Sequence, residues 1–295
     1  MKLSVCIPVY NFDIRELVCD LEREITDKNL DAEIILIDDA SDEKFNILNR
    51  EIQNKVSDFI FLAKNIGRSA IRNLFLNYSK GNYLLFLDCD AKLIHTHFLT
   101  DYLQEIQNNN GVEVVYGSFR IDPKYSHTLR NKYSVEREIF YGERSSDFSV
   151  FKTVNFIIRR DTFKQFSFNE ELLHYGYEDY IFAKKLELNK VRFLAIQNPV
   201  IHIDDTPNTI FLAKTEIAID SLIQLSQNPE NEIFIHNIKV YEIAQKLIKN
   251  GLRIPFLVIY KRVQKKLVDN LLSETPVIKY LDFYKLGLLL KKSKD

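Results

Sequence analysis

The sequence predicts an α/β fold with a mainly parallel central sheet flanked by helices, on three observations. Strand-length apolar runs alternate with helix-length amphipathic stretches, the pattern of repeated βαβ units. The apolar runs are continuous rather than alternating, as in strands covered on both faces. Two of them stop at acidic clusters, Asp38-Asp39 and Asp88-Cys89-Asp90. Ligands of open α/β sheets gather outside the carboxyl ends of the strands, so position alone makes both clusters candidate site residues.

The elements follow in order. Residues 3–9 form an apolar run with β-branched members that closes at Tyr10-Asn11, a buried strand. Residues 14–25 have helical spacing through Leu17, Leu21 and Ile25. Residues 33–37 and 58–62 read as the second and third strands, 69–78 as a helix and 82–87 as a fourth strand. Further strands are expected at 112–116, 153–159 and 192–196, and helices at 211–227 and 237–249. Residues 122–149 are polar, aromatic-rich and irregular, and read as a loop or lid.

Composition bounds function. The 295 residues suffice for one large domain or a domain with an appendage. With 46% hydrophobic and 27% charged residues the chain has an ordinary globular balance. No apolar run has the length of a membrane span, and the N-terminus reads as a strand rather than a signal peptide. Three scattered cysteines, Cys6, Cys19 and Cys89, lack metal-ligand spacing and fit a reducing compartment, so a cytoplasmic protein is expected. The net charge of −1 conceals an asymmetry: from Asn237 onward 13 Lys+Arg face 5 Asp+Glu, a balance of +8 against −9 for the rest. The acidic part suits a cation site and the basic tail an anionic surface. A basic excess confined to a tail without a recognition motif argues against a nucleic-acid partner.

Each chemical candidate has a plainer reading beside it. Asp88 and Asp90 stand two apart at a strand end, where alternate side chains share a face, so the carboxylates converge while Cys89 points away. Paired carboxylates with substrate phosphates commonly hold Mg²⁺ or Mn²⁺; the string also reads as a polar turn. Asp38 and Asp39 suit hydrogen bonds from a base or ribose; in the plainer reading Asp39 to Asp42 simply cap the next helix. Residues 64–73 follow the third strand and open a helix. Gly67 permits close backbone approach and a helix N-terminus favours anions, although a solvated basic helix would carry Arg68 and Arg72 as well. Gly176-Tyr177-Glu178-Asp179 precedes a helix, so its acids either offset the helix dipole or present a general base. His202 ends a strand-like segment with Asp204 and Asp205 close by, and a lone histidine is more commonly a packing residue than a ligand.

Taken in order, four strings resemble the family 2 glycosyltransferases, which have the GT-A fold, a Rossmann-like architecture. They are Val5-Cys6-Ile7-Pro8-Val9-Tyr10-Asn11, Ile37-Asp38-Asp39-Ala40-Ser41, Asn65-Ile66-Gly67-Arg68 with Arg72-Asn73, and Phe86-Leu87-Asp88-Cys89-Asp90. The family's strings are close to I-P-x-Y-N, D-D-x-S, N-x-G-x-x-x-A-R-N and D-x-D. Residues 155–163 and Gly176-Tyr177-Glu178-Asp179 resemble the acceptor-side region of chondroitin-polymerase-like and polypeptide N-acetylgalactosaminyltransferase-like enzymes. The resemblance spans about residues 1–225. It departs at Ile71, where many relatives carry alanine, and at Tyr177, where the nearest comparison enzymes often carry tryptophan; the second bears on acceptor type.

The resemblance implies an inverting, metal-dependent glycosyltransferase. It would move a sugar from a nucleoside diphosphate, UDP by analogy, to an acceptor hydroxyl in glycan or polysaccharide biosynthesis. Carried over, Pro8, Tyr10, Asp38 or Asp39, Asn65, Gly67 and Arg72 would line the nucleotide pocket. Asp88 would face the ribose or a metal-bound water, and Asp90 would bind Mn²⁺ or Mg²⁺, joined by His202. Asp179 would be the catalytic base and Glu178 would orient a glycan or lipid-linked acceptor. Two rivals differ in what they require. A nucleotidyltransferase wants a glycine-rich phosphate loop near the N-terminus, and residues 8–13 contain no glycine. A non-catalytic nucleotide-sugar binder would lose the D-x-D or the later acid pair, and both are present.

The expected division is a catalytic domain at 1–225 (donor and metal binding in about 1–110, acceptor side in about 111–225) and a basic helical extension at 226–295. In the extension, Phe256, Tyr260, Val263, Leu267 and Leu271 recur at helical spacing, with Lys261, Arg262, Lys265 and Lys266 beside them. The helix packs on the catalytic domain, or forms a basic amphipathic surface that rests on anionic lipid at the inner face of the cytoplasmic membrane. Residues 280–290 offer a second apolar, lysine-flanked segment.

Overall fold

The computed structural model describes residues 2–171 and 176–293. The chain runs β1 (Leu3–Val9), α1 (Arg15–Asp27), β2 (Ala32–Asp38), α2 (Glu43–Arg50), β3 (Asp58–Phe61), α3 (Arg68–Leu74), β4 (Tyr83–Leu87), β5 (Ala91–Leu93), α4 (Phe98–Asn108), β6 (Val114–Tyr116) and β7 (Phe119–Ile121). It continues through α5 (Leu129–Arg137), β8 (Arg144–Ser145), β9 (Asn155–Arg159), α6 (Arg160–Gln165), α7 (Glu178–Leu188), β10 (Phe193–Ile196) and β11 (Val200–His202). Five helices close it: α8 (Asn208–Ser226), α9 (Glu232–Ile235), α10 (Lys239–Lys249), α11 (Arg253–Leu271) and α12 (Ile278–Lys292). Two compact units result. The first holds Met1–Asp122, Ile139–Glu171 and Phe182–Ile203; the second holds Pro123–Glu138, Leu172–Ile181 and Asp204–Asp295.

The first unit is the predicted α/β layer structure. Its main sheet has the order β3-β2-β1-β4-β9-β6-β10-β8. Strands β3, β2, β1 and β4 are mutually parallel, β9 runs antiparallel to both β4 and β6, and β10 is parallel to β6. The continuous apolar runs have the reason given above: successive side chains leave opposite faces, and each face has its own core. Val5, Ile7 and Val9 join Leu17, Val18 and Leu21 of α1 and Phe98 and Tyr102 of α4 on one face. Cys6, Ile35, Ile37 and Phe86 join Ile71, Phe163, Phe182 and Leu186 on the other. A small second sheet, β5-β11-β7, carries His202 at the end of β11.

The second unit is helical. Its core takes Leu129 from α5, Phe211, Ile219 and Leu222 from α8, and Tyr260, Leu267 and Leu271 from α11 against Leu281, Tyr284 and Leu288 of α12. Helices α11 and α12 approach so closely at Gly287 that a Cβ there would lie 2.2 Å from the Tyr260 ring. The apolar stripe read in the tail is therefore turned into this core, with Phe256 and Val263 partly buried along it.

Three expectations are corrected. Residues 122–149 are not irregular: they contain α5, whose N-cap Thr128 accepts a bond from Asn131 N. Its signal was weak because Asn131 and Ser134 are buried, their polarity answered within the second unit by Asp204 O at 2.7 Å and Glu138 at 3.0 Å. The helix expected over 69–78 ends at Leu74 and tightens into a 3₁₀ turn at Phe75–Asn77. Helix α4 was not anticipated; its N-cap His97 makes no side-chain capping bond. Instead buried Glu24 of α1 accepts from Leu99 N at 3.0 Å, Thr100 N at 2.9 Å and Thr100 Oγ1 at 2.9 Å, satisfying donors that a helix N-terminus leaves open. Replacing Glu24 with Ala should cost about 1–3 kcal/mol of stability, read as a lower denaturant midpoint. Glu24→Gln should lose less because an acceptor oxygen survives. An unchanged midpoint in Glu24→Ala would refute this capping role.

Candidate active site

Parallel pairing gathers the site. Because β2, β1 and β4 run the same way side by side, the segments after Val9, Asp38 and Leu87 leave the sheet at one edge. Two tight turns shape that edge: Asn11 has φ 51° and Ala40 has φ 62°, backbone that costs a residue with a side chain about 1–2 kcal/mol. Bonds between the segments hold them. Ser41 Oγ accepts from Asn11 N at 2.8 Å, and Asn11 Oδ1 accepts from Asp42 N at 2.7 Å.

The two acids after β2 do different work. Asp38 is buried and its Oδ1 accepts from Ser41 N at 2.8 Å. Asp39 is also buried; its Oδ1 accepts from Ile66 N at 2.7 Å and its Oδ2 from Gly67 N at 3.2 Å. Asn65 Nδ2 bonds to Asp39 O at 3.2 Å, and Asn65 Oδ1 accepts from Gly67 N at 3.1 Å. Asp39 thus ties down the 65–67 loop, where Gly67 takes φ 84° and opens α3. Burial raises the Asp39 pKa; the Ile66 and Gly67 N–H groups oppose that and the neighbouring Asp38 charge adds to it. Pro8 pairs in register with Ile37, and the Tyr10 ring is 52% exposed at the end of β1.

The second acidic cluster converges, but not by strand alternation. The strand ends at Leu87, and residues 88–90 form a turn closed by Ala91 N to Asp88 O at 3.1 Å. Cys89 does point away: it packs against the core of the β1 face, and burial pushes its thiol pKa up, so it adds no charge. Arg72, almost wholly buried on α3, donates from Nη2 to Asp88 Oδ1 at 2.6 Å, with its guanidinium 5.6 Å from the Phe168 ring. His202 enters from β11, which pairs with β5 so that His202 faces Ala91. Its Nε2 lies 3.2 Å from Asp90 Oδ2.

Asp88, Asp90 and His202 each offer a ligand atom, all within 4.8 Å of one another. The Asp90 Oδ1 is buried with no hydrogen-bond partner among the described residues. A buried carboxylate oxygen without a donor is costly unless a cation meets it, and two carboxylates with an imidazole suit Mn²⁺ or Mg²⁺. The residues present fit such an ion. One other trio among the described residues, His95, His97 and Asp101, has similar spacing. There Asp101 already meets His97 Nδ1 at 2.8 Å across one turn of the start of α4.

The family-model description "Glycosyl transferase family 2" matches residues 4–167, more than half of the chain. The chain belongs to this family. Among its relatives, the minor teichoic acid biosynthesis protein GgaB of Bacillus subtilis (strain 168) is 24% identical over 311 residues, covering 95% of this chain and 34% of GgaB. The chain thus spans about a third of the length of that curated relative. Solved structures share the fold. The mannosyltransferase PcManGT from Pyrobaculum calidifontis, in complex with GDP-Man and Mn²⁺, aligns over 99% of this chain and 88% of its own, with TM-score 0.59 and 13% identity. S. aureus TarS 1-349 in complex with UDP aligns over 97% and 90%, with TM-score 0.53 and 21% identity.

Glu178 and Asp179 belong to the second unit and start α7. Gly176 has φ 106° and a Cβ there would lie 2.7 Å from that of Ala218, so both backbone and space require glycine. Tyr177 is also left-handed at φ 70°. Glu178 is buried, and its Oε2 accepts from Gly176 N at 3.2 Å, which fixes this turn; Asp179 is half-buried, with Oδ1 accepting from Tyr180 N at 2.7 Å. Asp204 is held by Arg130 Nε at 3.1 Å. Reasoning from sequence missed Asn73 as a structural clamp: its side chain donates to Phe168 O at 3.0 Å and accepts from Phe168 N at 2.9 Å. Its place in the quoted Arg72-Asn73 string was the available signal.

Arg72→Met should leave the partly buried Asp88 carboxylate without its cation. Asp88 retains some solvent, so the loss should be about 1–3 kcal/mol, below the full cost of breaking a buried pair. Mn²⁺ should raise the melting temperature of the variant more than that of the unaltered protein. Equal shifts would separate Arg72 from the ion site.

Proposed function

We propose that the chain is an inverting glycosyltransferase that moves a sugar from a nucleoside diphosphate, UDP in our reading, to a hydroxyl of a surface polysaccharide of teichoic-acid type. The observation that carries this reading is the Asp88–Asp90–His202 cluster with its unsatisfied buried Asp90 oxygen, beside the Asp39-tied loop at the same sheet edge. The UDP complex of TarS and the role of GgaB support the choice of nucleotide and product class. The division in this reading is catalytic over 1–225, with about 1–110 on the donor side and about 111–225 on the acceptor side, followed by a basic extension at 226–295.

Asp88, Asp90 and His202 would hold the divalent ion, which would offset the charge that grows on the leaving diphosphate. Arg72 neutralises part of the two-carboxylate charge and fixes Asp88. The N–H groups around Gly67 and the start of α3 suit phosphate oxygens, and the exposed Tyr10 ring suits a base or ribose face. Pro8, Asp38, Asp39 and Asn65 shape that pocket from behind. Asp179 takes the proton from the acceptor hydroxyl as its oxygen attacks the anomeric carbon opposite the leaving group. Glu178 holds the turn and orients the acceptor. Fixed orientation of the two reactants supplies much of the rate.

A screen of nucleotide-sugar hydrolysis with and without Mn²⁺ tests the donor half. Asp90→Ala should abolish the Mn²⁺-dependent part while the protein stays folded; hydrolysis that survives would remove Asp90 from the site. For the acceptor half, Asp179→Asn should cut turnover on the order of a hundredfold or more, the scale of general base catalysis, with donor binding nearly unchanged. If Asp179 and Glu178 merely offset the helix dipole, both Asp179→Asn and Glu178→Gln would lose a little stability and keep normal turnover.

A further inference from the structure

We propose that the outward face of α11, together with the turn before it, docks on the surface of an anionic lipid bilayer. This deepens the partner reading and rests on it only for the use of the contact, namely presenting the protein to a lipid-linked acceptor. Helix α11 has two faces. One is the stripe of Phe256, Tyr260, Leu267 and Leu271 packed within the second unit. The opposite arc is open and itself carries large apolar side chains at its N-terminal end: Ile254 is 73% exposed, Ile259 55%, and Val258 and Leu252 48% each. Exposed aliphatic residues grouped on one helix end mark an interaction surface more than a solvated face does.

The rest of that arc is cationic. Lys261, Arg262, Lys265 and Lys266 are all exposed, and none engages in an ion pair among the described residues. Spacing of four and three places them on the same side as Ile254, Val258 and Ile259, and Asp269 is the acid on that arc. The turn that presents the apolar end is anchored: Arg253 Nε donates to Leu290 O at 3.1 Å and Nη2 to Ser293 O at 2.6 Å.

This combination selects one occupant. Apolar side chains followed by a block of unpaired cations match the acyl boundary and the headgroup phosphates of a bilayer. A second copy across a two-fold axis along the helix would set these cations against the same cations, and one across a perpendicular axis would lay them on the partner's aliphatic end, where they lose water and gain no counter-charge. No helix among the described residues is long and apolar enough to cross a membrane, so the contact is one of lying on the surface.

The test is flotation of the full chain with vesicles of equal parts phosphatidylglycerol and phosphatidylcholine, against vesicles of phosphatidylcholine alone. The chain should float with the anionic vesicles, and added salt should weaken this. Binding should fall by about tenfold or more when Lys261, Arg262, Lys265 and Lys266 are all changed to Gln, and again when Ile254→Ser, Val258→Ser and Ile259→Ser are combined. All seven side chains are outside the helical core, and matching melting curves would confirm intact folds. Equal binding to both vesicle types, or variants that bind as the unaltered chain does, would overturn the proposal. So would a dimer in sedimentation velocity that the serine variant abolishes, which would assign the face to a second copy. Donor hydrolysis in the same preparations keeps the two readings apart: binding without hydrolysis counts against the proposed reaction, and hydrolysis without binding against this surface.

Discussion

The candidate donor site depends on the parallel pairing of β1 with β2 on one side and β4 on the other. That pairing puts three chain segments, each ending in polar residues, at one edge of a sheet whose interior is mostly apolar, with buried Ser4 and Glu33 bonded to each other. With a strand reversed, Asp39 or Asp88 would leave from the opposite edge. The apolar cores on both faces enforce the arrangement, since a slip of one residue would exchange every side chain between them. A rigid buried sheet thus carries the irregular backbone at its edge, where Asn11 and Ala40 adopt left-handed conformations.

Charge at the edge is balanced in layers. Asp39 spends its carboxylate on two backbone donors and so fixes the loop that opens α3. Asp88 is met by Arg72 from that same helix, so the loop and the D-x-D turn are coupled through one short element. Asp90 is left with a buried oxygen and a histidine beside it. A buried acid oxygen without a partner is expensive, and among the described residues the shortfall falls on Asp38 Oδ2 and on Asp90 Oδ1, of which only Asp90 has a second carboxylate and an imidazole beside it. The cation suited to that place is the one a diphosphate leaving group also needs.

The second unit follows a different logic. Its helices pack through aromatic and leucine contacts and the close approach of Tyr260 to Gly287, and Arg130, Asp204 and Glu138 bond to one another within it. The acid pair at the start of α7 sits on a doubly left-handed turn at Gly176 and Tyr177. Such backbone persists only where its surroundings impose it, here the close approach of Gly176 to Ala218 and the Glu178 bond to Gly176 N.

By itself the sequence determined the layer architecture, the strand ends that carry acids and the helical stripe of α11, though not which way that stripe faces. All three are written in local periodicity: apolar runs of strand length, polar stops and helical spacing survive in one dimension. Of the helices that it hid, the longer two, α4 and α5, have ends or polar residues that are completed from afar, by Glu24 and by Asp204. Tertiary structure alone decided that Asp39 is a tether and that Arg72 pairs with Asp88; that His202 meets Asp90 across more than a hundred residues was implied only by the family resemblance. Those are relations between side chains brought together by strand order, and nothing in the spacing of one segment encodes the partner that a distant strand will deliver.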